Sequence, residues 1–106
     1  MSKSSTTTTD NEWLHNPHAG ELLVQEFMEP IGLTTEALAS AIGLEPSCLD
    51  SVIKGKTAIS ADIDLRLGRY FGLSDGFFLR LQDQYELLEA KRRLDGDLDR
   101  IVPRAA

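Results

Sequence analysis

The stretch Thr34–Lys56 reads TTEALASAIGLEPSCLDSVIKGK, and its punctuation decides the fold. Thr34 offers a side-chain oxygen to the unsatisfied first amides of a helix whose inward face is Leu38, Ala41 and Ile42. Gly43 stops that helix after about nine residues, since glycine enters the left-handed region without steric cost. Pro46 suits the first turn of the next helix, where a missing amide hydrogen costs nothing, and Leu49, Val52 and Ile53 form its apolar stripe before Gly55 closes it. Two helices of about nine residues around a tight glycine turn have the spacing of a helix-turn-helix. Ala39 is small where the two helices must cross closely, and Leu44, Leu49 and Val52 lock the second helix onto a core. On these positions alone a plain helical hairpin stays open as an alternative.

Working outward, order begins at Trp13 and Leu14, followed by the turn-like Asn16-Pro17 and a first helix at about 19 to 29 carrying Leu22, Leu23, Phe27 and Met28. Pro30 and Gly32 end it. Ser60 is the cap of a fourth helix, with Asp62 near its positive end and Ile63, Leu67, Tyr70 and Phe71 turned inward as far as Gly72. After Ser74 a last helix of about twenty residues carries Phe77, Phe78, Leu81, Tyr85 and Leu88, with Leu87, Ala90 and Leu94 on a neighbouring side. No run alternates apolar and polar residues as a half-buried strand does, so the chain reads as all-α. Residues 1–12, MSKSSTTTTDNE, read as a disordered arm, and 95–106 as a flexible tail with a short turn that Pro103 ends.

The 106 residues are 42% apolar and 26% charged, a mix for one small core rather than several domains. Seventeen acidic side chains against eleven basic ones give a formal charge of −6, the wrong sign for coating nucleic acid or an anionic membrane nonspecifically. Any DNA binding must rest on a local patch. Cys48 has no partner for an internal disulfide, and no apolar stretch approaches the roughly 20 residues that span a bilayer, so a reducing cytoplasm is expected and no membrane. No nucleophile with its base, glycine-rich phosphate loop or paired carboxylate stands out, so neither enzyme nor cofactor is expected. His15 and His18 lie three apart without a third ligand and read as capping or surface residues rather than a metal site. Cys48 reads as a small packed or half-exposed residue, and Tyr70, Phe71, Phe77, Phe78 and Tyr85 as core packing rather than a ligand box.

Positions 47, 50, 51 and 54 share the face of the third helix opposite Leu49, Val52 and Ile53. That face is Ser47, Asp50, Ser51 and Lys54. Serines bond either partner of several base pairs, and an aspartate accepts from a cytosine amino group while repelling phosphates. Across Thr34–Lys56 two lysines stand against three carboxylates, a net of −1, so counterion release on DNA is small. Arg66 and Arg69 are further phosphate candidates, one of them equally placed to pair with Asp62. A merely solvated face is the alternative. The last helix has apolar residues on more than one side, which suits a two-fold dimer through Leu81, Tyr85 and Leu88; the alternative uses both sides within one chain.

Several stretches together resemble the HigA-type antitoxins, within the Cro-like helix-turn-helix repressors. They are Pro17-His18-Ala19-Gly20-Glu21-Leu22, Gly32-Leu33-Thr34 with Glu36-Ala37-Leu38-Ala39, Ile53-Lys54-Gly55-Lys56, Ile59-Ser60-Ala61-Asp62, Leu65-Arg66-Leu67 with Arg69-Tyr70-Phe71-Gly72, and Phe77-Phe78-Leu79-Arg80-Leu81-Gln82. The resemblance implies a five-helix Cro/lambda-repressor-like domain over 13–94 with an extended C-terminal helix. It also implies a dimer that binds double-stranded operator DNA, represses its own operon and neutralises a RelE-like mRNA-cleaving toxin. It puts the positions of Thr35 and Pro46 at DNA, and with the third-helix face the residues expected there are Thr35, Pro46, Ser47, Asp50, Ser51, Lys54 and Lys56. The family usually has Gln at Thr35, Ser-Arg at Glu45-Pro46, Pro at Ala19 and Trp-Leu-Asn at Phe78-Leu79-Arg80. A rival reading keeps the scaffold as a protein-binding module with little or no DNA binding, for which the charge of −6 would attract a basic toxin.

Overall fold

His18, Thr34 and Ser60 each precede a helix and accept hydrogen bonds from its first amides, which sets where the chain turns helical. The computed structural model describes residues 16–105, so the expected arm, with Trp13, Leu14 and His15, lies outside the described residues. Helix α1 starts at Ala19–Leu22, widens to π-helical turns over Leu23–Met28 and tightens to a 3-10 turn at Glu29–Ile31. The others are α2, Thr35–Ile42, α3, Pro46–Ile53, α4, Ala61–Phe71, and α5, Phe77–Arg93, before a 3-10 turn at Leu98–Arg100. No strand occurs among the described residues.

The π turns of α1 have a packing reason. Hydrogen bonds from i to i+5, such as that from the Glu29 amide to the Val24 carbonyl, bring residues five apart onto one face. Leu23 and Met28, five apart, are thereby both buried. Phe27 lies beside them as the hub of an aromatic cluster, its ring 5.2 Å from Phe71, 5.8 Å from Phe77 and 5.4 Å from Phe78. Helix α1 packs on α3 and α5, α2 on α3 and α4, and α4 on α5. The core joins Leu23, Leu38, Ala39, Leu49, Val52, Leu67 and Phe78, all essentially without solvent contact.

Two expected inward residues face outward instead. On α2 the buried set is Leu38, Ala39 and Ile42, and Ala41 is exposed, because Ala39 at the helix crossing rotates the inward stripe towards it. On α4 the buried stripe is Ile63, Asp64, Leu67 and Gly68, which leaves Tyr70 44% exposed on the flank. Gly68 lies on that stripe because α4 meets the chain after it so closely that a Cβ there would stand 3.2 Å from the Leu73 carbonyl oxygen. Helix α5 is 17 residues long, and the wide apolar surface expected of it is mostly half-buried, with Leu87 61% exposed.

Candidate nucleic-acid interface

The α2–turn–α3 unit is held from behind by backbone-directed contacts. Gly43 takes a left-handed φ of 74°, and the turn closes with the Leu44 amide donating to the Ala39 carbonyl at 2.9 Å. Arg66 of α4 donates through Nη1 to the carbonyls of Ile42 at 2.7 Å and Gly43 at 3.3 Å, while its Nε bonds the Asp62 carboxylate. A cation thus sits on the last carbonyls of α2, where the helix dipole favours it. Of the two arginines considered for phosphate contact, Arg66 is committed to the turn and Arg69 is exposed. On the other side, Gly20 of α1 comes so close to α3 that a Cβ would overlap the Val52 carbonyl oxygen.

Leu49 and Val52 point α3 into the core, and the opposite face is solvent-accessible. Ser47 and Lys54 are exposed, and Asp50 and Ser51 are half-buried. The structure brings two of these together: Lys54 Nζ lies 3.0 Å from Asp50 Oδ2, one helical turn apart. Thr35, half-buried, opens α2, and exposed Pro46 opens α3, where it removes an amide that a helix N-terminus would otherwise offer to a phosphate. Lys56 is exposed beyond Gly55, its amide bonded to the Ser51 carbonyl at 2.9 Å. Cys48 is exposed.

The residues considered for a dimer contact, Leu81, Tyr85 and Leu88, are all half-buried in the single chain. Leu81 packs against the core. The Tyr85 ring meets that of His18 edge-on at 6.0 Å, and the Tyr85 carbonyl accepts from Asn16 Nδ2 at 3.1 Å. His18 itself is a cap: its Nδ1 accepts from the amides of Gly20 and Glu21, and Glu21 returns a bond to the His18 amide. Among the described residues no three of His, Cys, Asp and Glu are grouped to hold a metal.

Two supports of this scaffold escaped the sequence reading. Helix α5 begins at Gly76 without a side-chain cap of its own, and Asp64, only 2% exposed, supplies one from α4. Its carboxylate accepts from the amides of Gly76 at 2.6 Å, Phe78 at 2.8 Å and Leu79 at 3.2 Å. The Gln82 amide pairs both ways with the backbone of Ile59, accepting at 2.6 Å and donating at 3.0 Å, and so fixes the chain between α3 and α4. A polar residue at inward helical spacing was the available signal for Asp64.

No family model matches the chain. It is 39% identical over 75 residues to Virulence-associated protein I of Dichelobacter nodosus, covering 71% of this chain and 69% of that protein. It is 30% identical over 84 residues to Antitoxin HigA-1 of Vibrio cholerae, covering 79% of each. Among solved structures, the Pseudomonas aeruginosa antitoxin HigA with the higBA promoter superposes with a TM-score of 0.77 at 32% identity, over 86% of this chain and 100% of that one. The chain belongs to the HigA antitoxin family. Within this HigA-family fold, the departures at Thr35 and Glu45-Pro46 fall at the first turns of α2 and α3, and Glu45, the residue before α3, makes no side-chain cap. The Phe78 that stands in place of the usual tryptophan is fully buried among Phe27 and Phe77.

Proposed function

We propose that this HigA-family protein is an operator-binding antitoxin that acts as a dimer, sets α3 of each protomer in the major groove, represses its own operon and neutralises a RelE-like mRNA-cleaving toxin. The observation that carries this reading is the exposed polar face of α3 on a helix-turn-helix that matches a HigA solved with promoter DNA along that protein's whole length. Thr35, Pro46, Ser47, Asp50, Ser51, Lys54 and Lys56 are the DNA-facing residues, and α5, with Leu81, Tyr85 and Leu88, is the dimer contact. Two α3 helices about one DNA turn apart would then meet two half-sites.

The experiment is titration of the purified protein against a labelled fragment of its own upstream DNA at two salt concentrations, with unrelated DNA as competitor. Specific binding with a shallow salt dependence is expected, because few cations face the DNA. Absence of specific binding by the folded protein would overturn the operator reading. A second reading, the scaffold retained for protein contacts alone, is favoured by one observation: the cation of the α3 face is already paired with Asp50. Co-purification with a basic toxin, together with indifference to upstream DNA, would establish it.

A further inference from the structure

We propose that Asp50 makes this protein select cytosine, so that each operator half-site carries a C·G pair at one fixed position, with the cytosine 4-amino group donating to the Asp50 carboxylate. This rests on the operator-binding reading. The α3 face holds two serines, one carboxylate and one ammonium. Ser47 and Ser51 are short and both donate and accept, so they let the helix approach closely but discriminate little. Asp50 only accepts. In the major groove guanine presents two acceptors, N7 and O6, thymine an acceptor and a methyl group, and adenine an acceptor beside its amino group, whereas cytosine presents a donor alone. A carboxylate is repelled by the first two and compromised by the third, and it fits the fourth.

Lys54 makes that choice tolerable next to DNA and removes its main competitor. Its Nζ, 3.0 Å from Asp50 Oδ2, offsets a charge that the phosphates would otherwise repel. Being held there, the face's one donor-only side chain is not offered to guanine. The pair engages Oδ2, which leaves Oδ1 for a base. Asp50 is 45% exposed at its side chain, which places that acceptor within reach of a groove without a rearrangement of α3.

The test is selection from a randomised duplex library with the full chain and with Asp50→Ala and Asp50→Asn, followed by titration of the selected duplexes. The wild type is expected to enrich half-sites in which one position prefers C over the other bases by about tenfold. Asp50→Ala should keep the rest of the site and become indifferent there. Asp50→Asn should move that position towards adenine, since an amide pairs with adenine N6 and N7 together. An unchanged preference at every position in both variants overturns the assignment of Asp50 while leaving operator binding in place, as does an even loss across the whole site. Failure of the wild type to enrich any sequence overturns the operator reading, and this inference with it.

Discussion

Replacing Asp64 by alanine should cost more stability than any surface change in this protein. The carboxylate is 2% exposed and accepts three amides at the start of α5, which has no cap of its own. A hydrogen bond to a charged group is worth about 1.5–3 kcal/mol net, and a buried amide left without a partner costs about 1–3 kcal/mol. The three losses do not add fully, because Gly76 and Leu79 are half-buried and regain water, whereas Phe78 is buried and does not. A total of about 3–5 kcal/mol follows, a large part of the about 5–15 kcal/mol that a domain of this kind has. In urea denaturation followed by far-ultraviolet circular dichroism, at a slope of about 1.5 kcal/mol per molar, the midpoint should fall by about 2 M or more. Asp64→Asn retains one acceptor and should lose about half as much. A loss below about 1 kcal/mol for Asp64→Ala, the range of an exposed ion pair, would refute the capping argument.

Gly20→Ala should destabilise by about 1–3 kcal/mol in thermal melting despite alanine's better helix propensity, because the added Cβ collides with the Val52 carbonyl and pushes α1 off α3. Arg66→Ala should cost about 1–2 kcal/mol in the same assay by freeing the Ile42 carbonyl, whereas Asp62→Ala, which removes only the exposed partner, should cost under about 1 kcal/mol. Equal losses for the two would mean that the Arg66 contact with α2 contributes nothing. Lys54→Glu should weaken operator binding on every sequence, because it removes the cation that offsets Asp50 beside the phosphates, as gel-shift titration would show.

Local chemistry made the helices legible in advance. Thr34, Gly43, Pro46, Ser60 and Gly72 mark ends that the structure places where caps, a proline first turn and left-handed glycines require them. The exposed face of α3 followed from period alone, since Leu49 and Val52 dictate which side is buried. What periodicity did not reveal depends on neighbours. The π turns of α1 arise from the need to bury Leu23 and Met28 together, a demand set by the core and not by local spacing. Ala41 and Tyr70 face outward because Ala39 and Gly68, small residues at close approaches, take the inward positions. Asp64 reaches amides twelve and more residues away, a relation invisible to any local pattern.

The polar side chains that hold the helix-turn-helix act on backbone rather than on one another. Asp64 binds amides of α5, Arg66 binds carbonyls of α2, Gln82 binds the Ile59 backbone and His18 binds amides of α1. None of them lies on the α3 face, so positions 47, 50, 51 and 54 change without removing a support of the fold. Substitutions there are expected to stay within about 0.5 kcal/mol in stability. The two classes separate experimentally: variants of the face should alter which duplex is chosen at unchanged melting temperature, whereas variants of Asp64 or Gly20 should lower the melting temperature and leave the order of preference among duplexes unchanged.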